Sequence, residues 1–292
     1  MAEVKVIDLR NFDAQALNQT DLTHFLESGN VILLKNTAFQ LTDTEKELIS
    51  GSDFSLKAKS IKYNISQDKV WVKSSESNIP ELLPFKGILK RYCENAAEFV
   101  RQFLPHYVGS FSTESTSFRP IEASGRMQTP RHDDTKLHVD AFPSRPTAGK
   151  RLLRVFMNVN QNGAPRVWNV GESFEAVVLR FAPKILPPLP FSAKLMKAIG
   201  ITKSLRTKYD HYMLKIHDSM KFDSAYQENV TKQTLNFEPG DVWIVYSDQV
   251  SHAVTSGNGL LEQTFMLAAN KMQNSDLSPL HVLEKFFNKK LV

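Results

Sequence analysis

Apolar side chains recur at spacings of three and four from Phe85 to Leu104. Phe85, Ile88, Leu89, Tyr92, Ala96, Phe99, Val100 and Phe103 make one continuous stripe, the pattern of a helix that buries a single face. Pro105 stops it, because proline cannot donate to a helical turn. Thr42 followed by Glu45, ahead of Leu48 and Ile49, has the spacing of a capping box and opens a second helix. Asn30–Asn36 (NVILLKN) predicts a short apolar strand, so residues 1–110 read as mixed α/β. From about residue 110 the pattern shifts to strands. Leu152–Val159, Leu235–Phe237, Val242–Tyr246 and Glu262–Ala269 are rich in β-branched and aromatic residues and are bounded by Pro, Gly, Asn and Asp. Glu238-Pro239-Gly240-Asp241 is a tight turn feeding the strand VWIVY. Short strands around tight turns argue for a sandwich or barrel. The chain therefore reads as one α+β, mostly β domain. Its β-core spans 111–270, interrupted by a Pro-rich, then basic and helical, insertion over about 180–230. Ser278-Pro279 caps a last helix over 278–290 whose C-terminal lysines suit the helix dipole.

Composition adds further bounds. With 41% hydrophobic and 23% charged residues, the chain is globular. No run of 18 apolar residues occurs, the N-terminus lacks the pattern of a secretion signal, and a single cysteine, Cys93, forbids an internal disulfide. The expected location is the cytoplasm, or the cytoplasmic face of a membrane. Net charge is +5, but Arg180 to Lys221 holds nine basic residues against Asp210 and Asp218, so the remainder of the chain is slightly acidic. That segment expects an anionic partner. No aromatic-interleaved nucleic-acid face or reader motif accompanies it, so nucleic acid is not expected.

The chemistry-bearing stretch is Arg131–Asn160, which contains His138-Val139-Asp140. On a strand, residues i and i+2 point the same way, so His138 and Asp140 can reach one ion while Val139 packs behind them. His252, just beyond VWIVY, supplies a third ligand. Two imidazoles and one carboxylate on one side of a metal leave the other side open. This is the facial triad of non-haem Fe(II) oxygenases, whereas structural zinc prefers a closed four-coordinate site. His132-Asp133-Asp134 repeats the spacing but lies after Pro130 among polar residues and reads as loop.

The block from His138 through Asn160, together with residues 209–223 (YDHYMLKIHDSMKFD) and 237–254 (FEPGDVWIVYSDQVSHAV), closely resembles the Kdo hydroxylases. These are Fe(II)/2-oxoglutarate-dependent oxygenases of bacterial lipopolysaccharide assembly. The resemblance covers the C-terminal two thirds; the reading of the N-terminal third rests on pattern alone. It implies a double-stranded β-helix, the jelly-roll (cupin-like) core with flanking helices, and places iron on His138, Asp140 and His252. It also implies 2-oxoglutarate and O2 as cosubstrates, ascorbate as an accessory reductant, and hydroxylation of C3 of Kdo to give Ko on Kdo-lipid A or a related lipopolysaccharide precursor.

Many such oxygenases hold the far carboxylate of 2-oxoglutarate with an Arg about ten residues beyond the distal His. Here that region is Leu261-Glu262-Gln263-Thr264. A buried dicarboxylate still needs a cation, and Arg154, sharing a strand face with Phe156 and Asn158, is the candidate anchor. Arg119 and Arg126 are alternatives, and Asn158 is a candidate for orienting the cosubstrate. Arg145, Lys150 and Arg151 are candidates for an acidic sugar. The basic, leucine-rich insertion reads either as a contact to an anionic membrane surface or as a solvated cap over the barrel. Two alternatives stay open: an oxygenase of this fold acting on a protein or other small-molecule acceptor, and a non-catalytic jelly-roll binder of anionic glycolipid.

Overall fold

The computed structural model describes residues 2–11, 19–50, 60–72, 82–125 and 128–292. Eleven strands among them form two sheets. The large sheet runs in the spatial order β1 (Val4–Asp8), β2 (Val31–Lys35), β9 (Val242–Tyr246), β6 (Arg151–Asn158), β11 (Leu260–Leu267), β5 (Phe111–Arg119), β3 (Ile61–Asn64) and β4 (Lys69–Val72). Every pairing in it is antiparallel except β1 with β2. The small sheet has the order β10 (His252–Ser256), β7 (Arg166–Val170), β8 (Gln233–Phe237).

The sheets face each other across an aromatic layer. Phe156 on β6 and Trp243 on β9 meet Trp168 on β7 and Phe237 on β8, with Phe237 and Trp243 stacked at 4.0 Å. Alternation along β6 divides its side chains between two cores. Phe156 points to the small sheet, while Leu153, Val155 and Met157 point to the helices on the far side. That far face is covered by α1 (Gln19–Glu27) and α3 (Leu83–Phe103). The stripe on α3 is buried as its spacing requires, and Tyr92 donates from it to Val155 O at 3.1 Å. α2 (Asp43–Ser50) opens with the Thr42–Glu45 capping box, both reciprocal bonds present.

Between β7 and β8 the chain forms α4 (Phe174–Phe181), α5 (Ser192–Ala198), α6 (Lys208–Phe222) and α7 (Ser224–Asn229). With α8 (Pro279–Phe287), capped by Ser278, helices α4, α6 and α7 build a third core around Leu137, Val139 and Ala253. The segment between β7 and β8, where the sequence suggested a basic insertion over about 180–230, is helical from Phe174.

Candidate metal centre

His138 and Asp140 do not lie on a strand as their pattern predicts. Leu137–Asp140 is extended chain with one antiparallel bridge, His138 to His252. The alternation nevertheless holds, because Leu137 and Val139 are buried in the helical core while His138 and Asp140 turn the other way. Reciprocal main-chain bonds of 3.0 and 2.9 Å clamp His138 to His252, and Asp140 N donates to Ser247 O at 2.8 Å. One local segment and the β9–β10 turn therefore set all three side chains.

Their ligand atoms lie within 4.8 Å of one another. His138 Nδ1 is 2.8 Å from Lys136 O, and His252 Nδ1 is 2.8 Å from Val250 O. A carbonyl can only accept, so each Nδ1 carries the proton and each Nε2 keeps its lone pair for a metal. Burial pushes both imidazoles below their usual pKa, further for His138, which also faces His252. Burial alone would raise the Asp140 carboxyl, yet Arg154 and the two imidazoles hold it well below the usual carboxylate range. Asp140 Oδ2 is buried 3.1 Å from Arg154 Nη2 without a well-formed hydrogen bond. Neutral imidazoles and an ionised, under-satisfied carboxylate are the states that bind a divalent ion. The donor set fits ferrous iron.

A cavity of about 220 Å³ opens beside these atoms, lined by five cationic side chains (Arg119, Arg131, Arg154, Arg166 and Lys221) against three carboxylates (Asp134, Asp140 and Glu262). Glu262 stands where many oxygenases carry their anchoring Arg. It is buried between Arg119 and Arg154, with contacts of 2.6 and 2.8 Å. Although burial alone would raise its carboxyl, the two arginines hold it below the usual range. The two arginines that flank it come from β5 and β6. Arg154 Nε is buried without a hydrogen-bond acceptor.

Other expectations need correction. Arg151 is not at the substrate side: it is fully buried, bonded to Asp248 at 2.9 Å and to Gln249 at 2.6 Å, with its guanidinium over the Tyr246 ring. Alternation explains this, since Arg151 is an odd number of residues from Arg154 and so faces the opposite side of β6. Asn158 is fully buried and donates to Ala164 O and Phe237 O, outside the cavity lining. Lys150 and Arg145 are exposed and do not line it. Arg126 falls outside the described residues. His132 sits in a single turn of 3-10 helix, bonded to Thr129; it lines the cavity but is not one of the three converging ligands.

Sequence reasoning missed Trp168, Arg166 and His217. Trp168 stacks on His252 at 4.8 Å and 19°, and His217 from α6 meets His138 edge-on at 5.4 Å. Each reaches the site through tertiary contact with no local spacing to announce it. His217 did fall within a quoted stretch, 209–223, but nothing there singled it out.

Two imidazoles and a carboxylate converging from one side, in a cationic cavity between two sheets, define a mononuclear non-haem metal site of the facial-triad class. The family model for 3-deoxy-D-manno-oct-2-ulosonic acid (Kdo) hydroxylase matches residues 11–290. The chain belongs to the Kdo hydroxylase family, and the likeness reaches well into the N-terminal third that pattern alone had covered. It is similar to solved structures of the Kdo hydroxylase KdoO, described as a non-haem Fe(II) α-ketoglutarate-dependent dioxygenase. For the complex with α-ketoglutarate and Fe(III), identity is 40% and the TM-score 0.91, covering 99% of this chain and 97% of that one. The cobalt(II) complex gives 41% identity and 0.91, and the complex with succinate and Fe(III) gives 41% and 0.90, each at the same coverage. No curated protein sequence matches the chain.

Proposed function

We propose that this protein is an Fe(II)/2-oxoglutarate-dependent dioxygenase that hydroxylates C3 of Kdo in Kdo-lipid A or a precursor of it. The observation that carries this reading is the convergence of His138, Asp140 and His252 within 4.8 Å beside a cavity rich in arginine. We read the facing sheets as the walls of a double-stranded β-helix, because from β6 the chain crosses to β7 and β8 in the small sheet, returns to β9, crosses to β10 and returns to β11.

His138 Nε2, His252 Nε2 and an Asp140 oxygen would hold Fe(II), with the Nδ1–carbonyl bonds fixing the tautomers. Iron bound there supplies the coupling of 2-oxoglutarate decarboxylation and O2 reduction, with ascorbate as an accessory reductant, to hydroxylation of a C–H bond. Arg154, whose Nε has no acceptor, pairs with the distal carboxylate of 2-oxoglutarate, and Arg119 supports it from the other side of Glu262. Phe142, Phe156 and Leu260 give the cavity its apolar wall, which excludes water and keeps substrate and cosubstrate in register. Arg145 lies outside the cavity lining, on the exposed loop after Phe142, and would pair with the acidic sugar only where it extends beyond the cavity. Its charge is felt at Lys62, whose ammonium burial and the neighbouring Arg119, Arg145 and Arg154 push down to about 8, against the pull of Glu262.

The test is direct. Purified protein with Fe(II), 2-oxoglutarate, O2 and Kdo-lipid A should yield succinate and a matching amount of Kdo with one added oxygen by mass spectrometry. Asp140→Ala should yield neither. Succinate formed in full with a protein or nucleobase acceptor but not with Kdo would displace the proposed substrate. Absence of both iron and 2-oxoglutarate turnover would favour a binding protein.

A further inference from the structure

Exposed large hydrophobic side chains on this protein are not scattered. Among the described residues, seven of the fourteen fall between Leu186 and Leu205. Leu186, Leu189 and Phe191 are each more than three quarters exposed, and Leu195, Ile199 and Ile201 more than half. Helix α5 buries no residue at all. A soluble surface normally carries such residues singly, and a contiguous patch rimmed by polar groups marks an interaction site. The apolar groups converge in space: Leu189, Phe191, Met196 and Leu205 line one groove, with Lys194, Arg206 and Lys208 at its edge. From Lys184 to Lys208 the chain carries six cations and no carboxylate. Apolar residues set among uncompensated lysines suit insertion at the boundary between anionic headgroups and acyl chains. A second copy of the patch would oppose cation to cation. No helix among the described residues is long and apolar enough to cross a membrane, so the contact is peripheral.

The patch is also tied to the catalytic cavity. Lys203 N donates to Ser144 O at 2.9 Å, and Arg206 Nη2 donates to Pro143 O at 2.5 Å. Pro143 lines the cavity beside Asp140. We infer that residues 186–206 are a docking surface for an anionic phospholipid bilayer, which holds the mouth of the cavity at headgroup level. This surface does not depend on the reaction proposed above, although it would deliver a membrane-embedded glycolipid to it.

The experiment is sedimentation of the full chain with vesicles of phosphatidylcholine alone or with phosphatidylglycerol, without iron or 2-oxoglutarate, so its outcome is independent of turnover. The protein should partition onto phosphatidylglycerol vesicles and be released by salt. Each lysine near an anionic surface is worth roughly fivefold in binding. Lys194→Glu/Lys197→Glu should therefore weaken it by roughly twentyfold or more, and Leu189→Ser/Phe191→Ser/Leu195→Ser at least tenfold. These positions are exposed, so thermal melting should be unchanged. Turnover of a deacylated, water-soluble Kdo glycan should persist while turnover of vesicle-embedded substrate falls. Failure of the unaltered protein to bind anionic vesicles, or equal binding by both variants, overturns the inference. So does a self-association abolished by the triple serine variant in a protein that ignores vesicles, which would make the patch an interface between copies.

Discussion

At the scale of single residues, the site depends on how few of its polar groups are left over. Arg154 gives Nη1 to Glu262 and places Nη2 against Asp140 Oδ2, so the proposed cosubstrate contact falls to Nε. A charged hydrogen bond in a dry pocket is worth about 2–3 kcal/mol. Arg154→Ala should therefore raise KM for 2-oxoglutarate roughly 30- to 100-fold, measured by succinate release, and Arg154→Lys should recover only part because an ammonium lacks the fork. Iron binding should survive in both variants, which separates an anchor from a ligand. The three candidate metal ligands were legible in the sequence because two of them share a local spacing and the third follows a recognisable turn and strand. The acid at Glu262 was visible as the absence of an expected arginine. Its partnership with Arg119 and Arg154 was not, since it depends on which strands become neighbours.

At the scale of elements, the β9–β10 turn is the hinge of the site. Ser247 O orients Asp140, Val250 O orients His252, and Asp248 between them is pinned by fully buried Arg151. Burial pushes the Asp248 carboxyl up, against the opposing pull of Arg151. Removing one partner strands the other charge, which costs about 3–5 kcal/mol. Arg151→Met should lower Tm by roughly 10 °C and weaken metal binding. Arg151→Met/Asp248→Leu should regain much of the stability, read by calorimetry. Gly171 is a second control point. A Cβ there would lie 2.8 Å from Ser251 Oγ and 3.1 Å from Leu137 Cδ1, next to both histidines. Gly171→Ala should weaken metal affinity by roughly tenfold, measured by titration with Co(II).

The helices were readable because their periodicity and caps lie within one segment, as α3 and the Thr42 box show. β1, β3, β4, β7 and β10 escaped notice, each being four or five residues long and, apart from the local β3–β4 pairing, held by partners distant in sequence. The same reason made the His138 segment look like a strand: its alternation is real, but only one bridge forms.

At the scale of the whole molecule, the site couples folding to pH. The folded pKa values of His138 and His252 lie below the unfolded value near 6.5. The unfolded chain therefore binds protons that the folded chain refuses, and the stabilisation is complete above that value. The metal-free protein should lose stability as pH falls below about 6.5, and Fe(II) or Co(II) should widen its margin most at neutral pH, where no proton competes. Thermal melts across pH 5 to 8, with and without Co(II), check both statements. His138→Asn should flatten the metal-free slope.

The reciprocal main-chain bonds between His138 and His252 have one more consequence. They join two distant stretches of chain without help from any ion, so a chelator should empty the socket and leave it standing. Reloading would then follow the arrival of iron and be complete within mixing, with no slow refolding phase, and stored apoprotein would regain full activity on demand.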